Sequence, residues 1–255
     1  MSIIAIAGDA CTTTAVALAS AWPASDDAVL IEADPAGGDL AAWFDLPVSP
    51  SLSTLVTRVL DGTWAEIEPL VRVASSGLRV IPAPPRSVEA AQAVAESARS
   101  LVSSLATQRS SVVIADTGRL QPSPDAHPFV GGAAVTVVVH RQATQSSRAA
   151  AVRLQRLADQ LEALISLPTA AVVVVVGAAP FDLNDVESFL AESVGAPPIV
   201  GLPVDELAAA VFGGRTGLSS RRLIRLPLLK AARDLAAVAE RSLAASPGGV
   251  SRVAR

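Results

Sequence analysis

Short β-branched runs alternate along the chain with longer Ala/Leu-rich stretches of helical period, the pattern of a parallel sheet with crossover helices. Strands are expected over 2–7, 28–32, 78–82, 111–116, 133–139, 170–177 and 198–201, and helices over 12–21, 52–60, 87–107, 144–165, 183–193, 205–212 and 227–244. The run "AAVVVVVG" at 170–177 lacks polar alternation, which suits a strand covered on both faces. "VRVASSGLRVIPAPP" reads as a hairpin at a sheet edge, with Ser76-Gly77 in the turn and Pro82, Pro84 and Pro85 stopping its second strand. The expected architecture is α/β, a three-layer, mostly parallel twisted sheet with helices on both faces. One domain is expected over 1–245, with 246–255 as a flexible tail, because "SPGGVSRVAR" has lost helical period.

Composition narrows the picture. With 255 residues and 51% hydrophobic content the chain is long enough for a full core, and at 3% aromatic content Ala and Val must fill it. A net charge of −4 gives no reason to expect a nucleic-acid partner. One cysteine excludes an internal disulfide and a cysteine zinc cluster, and two histidines, His127 and His140, leave little for metal or acid–base work. No basic stretch precedes the N-terminal apolar run, and no apolar run approaches the roughly 20 residues of a spanning helix, so a cytoplasmic protein is expected. Lys230 is the single lysine. Before Arg58 there is no Lys, Arg or His at all, while Asp9, Asp26, Asp27, Glu32, Asp34, Asp39 and Asp45 accumulate.

Ligands of open α/β sheets collect beyond the C-terminal ends of strands. There the first strand runs into "AGDACTTTAVALA", an apolar strand, a small-residue turn and a Thr-rich helix start, the outline of a phosphate-binding loop. Asp34 follows the second strand in "IEADPAGGDL" and Asp116 closes the fourth in "VVIADTGRL". Two acids at strand ends beside threonine hydroxyls can hold a magnesium–nucleotide complex and orient a water. The plainer reading is that Asp34 and Asp116 cap the turns that follow them.

The chain resembles the ParA/MinD family of deviant Walker-type ATPases, a P-loop NTPase-like fold, and within it the MinD-like CpaE/TadZ group of pilus-assembly clusters. "ACTTTAVALA" is similar to the family's "GKTTTAVNLA" stretch, and "VLIEADPAGGDLAAWFDL" to its second-strand motif with Asp34 as the switch I acid. "GLRVIPAPPRSVEA" and "VVIADTGRL" resemble further family segments, the latter placing Asp116 on the magnesium side. "PPIVGLPVDELAAAVFGGRTGL" resembles the late loop that packs near adenine in active members.

Against the family's Lys-Gly-Gly-x-Gly-Lys-Thr-Thr, the chain sets Ile6, Ala7, Gly8, Asp9, Ala10 and Cys11 at the first six positions, followed by Thr12 and Thr13. Both lysines are missing, the signature one that crosses a dimer interface and the one on the phosphates, and Gly177 stands where relatives carry a base-reading Asn. ATP brings roughly four negative charges, and one close ion pair at an effective dielectric near 20 is worth about 4 kcal/mol before desolvation. Every 1.4 kcal/mol or so is tenfold in affinity, so these losses move a micromolar site to roughly millimolar or weaker. A rescuing arginine would be Arg119 or Arg141 folded back over the loop. Gly8, Asp9, Ala10, Cys11, Thr12, Thr13, Asp34 and Asp116 are therefore expected to form a vestigial nucleotide site without catalytic residues. Thr12, Asp34 and Asp116 are the candidate magnesium ligands if any metal binds, and no cofactor is expected, ATP and magnesium entering only if the loop is active after all.

The remaining residues add one feature. A helix N-terminus lowers a thiol pKa, but acidic surroundings make Cys11 better read as a small buried hydrophobe. Trp22, Trp43 and Trp64 are too dispersed for a nucleic-acid stacking platform. "SSRRLIRLPLLKAARDL" carries Arg221, Arg222, Arg225, Lys230 and Arg233 with no acid before Asp234, either a solvated helix face or a contact for a protein or an anionic lipid surface. The expected function is a catalytically degenerate scaffold or localisation factor with protein partners, those of a pilus or secretion apparatus or of polar localisation. Recruitment to a membrane or cell pole would come through them, and the oligomeric state would not depend on nucleotide. The rival is a working ATPase with an atypical loop. A dinucleotide enzyme is disfavoured, because the first turn lacks G-x-G-x-x-G and Glu32 lies too close behind it to be that motif's ribose acid.

Overall fold

Burial along the first strand sets the layers. Ile3, Ala5 and Ala7 face one side of the sheet, Ile4 and Ile6 the other, and all five are buried, as a strand walled on both faces requires. The computed structural model describes residues 2–23, 27–58, 63–97, 101–107, 111–142, 146–218 and 220–246. In chain order the elements are β1 (Ser2–Gly8), α1 (Cys11–Ala21), β2 (Asp27–Glu32), α2 (Leu40–Trp43), α3 (Leu52–Arg58), α4 (Trp64–Ile67), β3 (Arg72–Val73) and β4 (Arg79–Ile81). There follow α5 (Ser87–Ser97), α6 (Leu101–Thr107), β5 (Ser111–Asp116), α7 (Pro128–Gly131), β6 (Val135–Arg141), α8 (Ser147–Leu164) and β7 (Ala170–Val176). The last are α9 (Leu183–Val194), β8 (Ile199–Leu202), α10 (Glu206–Phe212), α11 (Ser220–Leu223) and α12 (Pro227–Ala245).

The strands form one sheet in the order β3-β4-β2-β5-β1-β6-β7-β8. All neighbours are parallel except β3, which closes the edge antiparallel to β4 through the expected hairpin. Leu52 and Leu55 of α3, Ala93 and Val94 of α5, Leu154, Leu157 and Leu161 of α8, and Leu190 of α9 cover one face. Val16 and Leu18 of α1, Phe212 of α10, and Leu229 and Leu235 of α12 cover the other. This is the expected three-layer α/β architecture.

Departures from the sequence reading are local. The helix expected over 87–107 is described as α5 and α6, with 98–100 outside the described residues. The strand expected over 133–139 runs instead from Val135 to Arg141, in register with β7. Four single turns of helix, α2, α4, α7 and α11, were not expected, because four residues carry too little periodicity to read. Of the expected tail 246–255, only Ser246 is described; its hydroxyl donates to the Ala134 carbonyl at 3.1 Å.

Helix starts follow side-chain caps. Ser146 caps α8, and Asp182 with Asp185 forms a capping box on α9. Asp205 does more: one carboxylate oxygen accepts from Ala208 N at 2.9 Å at the start of α10, the other from Leu228 N at 3.2 Å at the start of α12. One side chain thus ties two helix N-termini to the end of β8. Asp205→Ala leaves both backbone donors without their acceptor and is expected to cost about 1–3 kcal/mol in urea unfolding, with Asp205→Asn costing less. A change below about 0.3 kcal/mol for the alanine variant contradicts this role.

Candidate functional site

The loop after β1 keeps a phosphate-loop shape through backbone bonds. Gly8 adopts φ 117°, and a Cβ there would run into the Val139 carbonyl, so the position admits only glycine. Gly8 N donates to Gly118 O at 2.9 Å and Asp9 N to Val139 O at 2.8 Å, fastening the turn to both neighbouring strand ends. Ala10 sits left-handed at φ 55° and opens α1 without a side-chain cap. Its carbonyl accepts from Thr14 N at 3.2 Å and Thr14 Oγ1 at 3.0 Å. Ile6, at the signature-lysine position, is fully buried in the sheet.

Cys11 begins α1 at the other lysine position and is 7% exposed. Burial, first, then the Asp116 carboxylate and Asp34 push its thiol far above the usual range, so the group is a neutral thiol. The thiol is buried, as expected, but it lies against the Asp116 carboxylate as well as the apolar core. Asp116 ends β5 with no exposure; its Oδ1 accepts from Gly118 N at 3.3 Å. Burial raises its pKa and Asp34 adds to the rise, while Thr12, Cys11 and the Gly118 N–H oppose it. Thr12 and Cys11 thus lie near enough to favour its charged form, yet Oδ2 has no hydrogen bond of ordinary geometry. Asp34 accepts from Ala36 N at 2.8 Å and packs over Gly118, where a Cβ would collide with its carboxylate. The structure therefore brings Cys11, Thr12, Asp34 and Asp116 together, while Thr13 lines a neighbouring cleft.

Three participants were missed from the sequence. Glu32, paired in register with Asp116, is 2% exposed and accepts from Asp39 N at 2.7 Å, Leu40 N at 3.0 Å and Ala83 N at 2.9 Å. It shapes the loop that carries Asp34. Burial nevertheless pushes its carboxyl up to about 7, against the pull of those three donors. The legible signal was its position, an acid at the last residue of an apolar strand.

His127 Nε2 lies 3.0 Å from the Ala33 carbonyl, which only accepts, so Nε2 carries the proton. Among the described residues Nδ1 has no hydrogen-bond partner, and burial lowers the ring's pKa, disfavouring its charged form. Arg153 of α8 reaches Asp9 at 3.5 Å and the Arg141 carbonyl at 3.3 Å. Arg153 is thus a cation at the loop that the sequence did not single out, and it is engaged by the loop's own acid. Half-exposed as it is, that pair is worth at most about 1 kcal/mol.

Arg141 joins Ala10, Thr13, Thr14, Val176 and Leu228 among the residues lining a cleft of about 160 Å³ beside the loop. Arg222, Arg225, Lys230 and Arg233 are exposed; Arg233 donates to the Ile224 carbonyl at 3.2 Å, and the four make no salt bridge among the described residues. The Arg221 side chain lies outside the described part. Among the described residues no three His, Cys, Asp or Glu side chains form a metal-binding group. The residues present fit a magnesium–triphosphate poorly: two carboxylates, one hydroxyl, a neutral thiol at the lysine position and a carboxylate added to the turn.

Neither a protein-family model nor a curated protein matches the sequence. Solved structures do. A ParA family ATPase from Chlorobium tepidum TLS superposes with a TM-score of 0.65 at 17% identity, over 92% of this chain and 97% of that one. The MinC:MinD cell division complex of Aquifex aeolicus gives 0.64 at 15%, over 94% and 96%. The fold is the ParA/MinD fold. Cobyrinic acid a,c-diamide synthase from Mycobacterium smegmatis, solved with an ATP analog and magnesium, gives 0.61 at 17%, over 98% of each chain. At such identities the ParA/MinD likeness carries architecture, and activity has to be argued from the loop. No described helix is long and apolar enough to cross a membrane.

Glu32 gives a pH test. With a folded value near 7 against an ordinary 4.5, the folded state holds a proton that the unfolded state has released, so stability falls as pH rises through that interval. Wild type is expected to lose on the order of 3 kcal/mol relative to Glu32→Gln between pH 4.5 and 7, from urea unfolding at each pH. The subtraction removes His127 and His140, whose lowered values act in the opposite sense. A flat difference across that interval contradicts the assignment.

Proposed function

We propose that this ParA/MinD-fold chain works as a nucleotide-independent scaffold that binds protein partners and helps to localise them, and that it is a pseudo-ATPase. One observation carries the reading: the lysine position holds a neutral thiol packed against a buried carboxylate. A triphosphate placed there gains no ion pair from position 11 and meets Asp9, Asp34 and Asp116. The transition state of phosphoryl transfer, which needs fixed positive charge around the transferring group, finds none on the loop.

MinD in the Aquifex aeolicus structure is in complex with MinC, and plasmid partition proteins share the fold. Partner binding is thus a use to which this fold is put. The resemblance of the chain's motifs to the CpaE/TadZ group points the same way, toward positioning a pilus or secretion apparatus. In such a role a cytoplasmic chain reaches a membrane or pole through its partners.

Self-association follows the same logic. With Ile6 buried in the sheet, no residue at that position reaches across to a second subunit's phosphates, so any dimer is held by protein surface alone. A stable one needs on the order of 1,200 Å² of buried surface. Light scattering is expected to give one mass with and without ATP and magnesium. A mass that doubles only on adding ATP contradicts the scaffold reading.

A further inference from the structure

Charge is sorted along the C-terminal part of the chain. Between Arg156 and Arg215 there are eight acids and no Lys, Arg or His. From Leu207 to Arg233 there are six cations and no acid. On the acidic side, Leu183 Cδ1 lies 2.9 Å from where a Gly201 Cβ would sit, and Val204 3.7 Å from the same point on Gly177. Val175 pairs with Gly201 and Val176 with Leu202, so these glycines are on adjacent strands, two positions apart along them. Leu183 and Val204 thus lie side by side at the carboxyl end of the β7–β8 edge, 42% and 55% exposed. Asp182, Asp185 and Glu187 of the α9 start and Glu206 beside Val204 are exposed too, with Glu187 one helical turn on from Leu183. No salt bridge among the described residues involves these carboxylates, and Arg141 is the one cation that lines the cleft with Val204 and Glu206.

The basic side is built on a turn. Arg225 N donates to Arg222 O at 3.1 Å, and Ile224, 47% exposed, stands between these two exposed arginines. The Arg233 guanidinium donates to the Ile224 carbonyl at 3.2 Å, which brings the exposed face of α12 against the turn. Lys230 is exposed one helical turn before Arg233, and Asp234 is the first acid after Glu206 in the chain.

Asp205 joins the two sides. Its carboxylate accepts from Ala208 N on the acidic side at 2.9 Å and from Leu228 N on the basic side at 3.2 Å. Ile224 is four residues from Leu228, at most about 14 Å along the chain. One edge of the molecule therefore carries an apolar patch ringed by acids and, near it, an apolar side chain flanked by arginines.

We propose that this edge is a self-complementary interface for a second copy of the chain. Leu183 and Val204 of one copy take Ile224 of the other, with acids meeting arginines around it, and the reverse contact closes a two-fold dimer. Every contact of an isologous interface occurs twice, a condition that a surface with two opposite halves meets. Opposite rim charges set the register, and acid placed on acid is repelled. This rests on the scaffold reading, in which any dimer is held by protein surface alone, and adds which surface holds it.

The test is sedimentation of the full chain without nucleotide. A concentration-dependent dimer is expected, weakened at least tenfold between about 0.05 M and about 0.5 M salt, where screening shortens the reach of surface charge. Two variants then reverse one half each, Glu187→Arg with Glu206→Arg, and Arg222→Glu with Arg225→Glu. Each alone is expected to be monomeric, because its halves no longer attract, while an equimolar mixture of the two restores the dimer. Circular dichroism matching the wild type verifies that each variant is folded, and the wild-type measurement needs no altered protein. A wild type that is monomeric at every concentration, a dimer indifferent to salt, a variant that stays dimeric, or a folded mixture that stays monomeric overturns the interface and leaves the scaffold reading standing. A dimer that forms only with ATP and magnesium overturns both.

Discussion

A carboxylate buried without a cation against it is the constraint around which the carboxyl end of this sheet is built. Asp116 has no exposure, one oxygen without a hydrogen bond of ordinary geometry among the described residues, and the neutral Cys11 thiol beside it. In so dry a place charge is disfavoured, and the neighbouring groups respond together: Asp116, Glu32 and Cys11 are all pushed toward their neutral forms. What negative charge remains is met by backbone N–H groups, three on Glu32 and one each on Asp116 and Asp34, with Thr12 and Cys11 also favouring charge on Asp116. A polyphosphate would bring more of the charge that this region already suppresses.

Shape and chemistry have separated here. The turn is held by Gly8, whose backbone no other residue can adopt against Val139, and by bonds from the loop to Gly118 and Val139. Thr117 adds its amide and hydroxyl, both donating to the Ile6 carbonyl at 2.9 Å. None of these contacts involves the side chain of Ile6 or Cys11, so the path of the loop does not depend on which side chains stand at those two positions. That is why the ParA/MinD architecture is intact at 13–17% identity to several structures that share it. Backbone packing tolerates the exchange of side chains that a bound anion would not.

The architecture was legible because buried parallel strands leave unbroken β-branched runs, and "AAVVVVVG" could scarcely be anything else. Asp34, Asp116 and Cys11 were legible for a related reason: strand ends are where this class of sheet gathers its chemistry. Arg153 was not, since its meeting with Asp9 spans 144 positions and depends on how α8 crosses the sheet. Glu32 read as one acid among many, and only the folded chain shows Asp39, Leu40 and Ala83 converging on it. Asp205 likewise looked like one helix cap, and serves two because α12 returns to the end of β8.

A nucleotide-independent scaffold requires that the loop take up no nucleotide. Isothermal titration of the full chain with ATP and magnesium, carried to millimolar ligand, measures this directly. No saturable heat is expected below about 1 mM, given several kcal/mol of lost ion pairing at roughly tenfold in affinity per 1.4 kcal/mol. A saturable isotherm with micromolar affinity would show that positive charge reaches the phosphates by some other path, and would contradict the account.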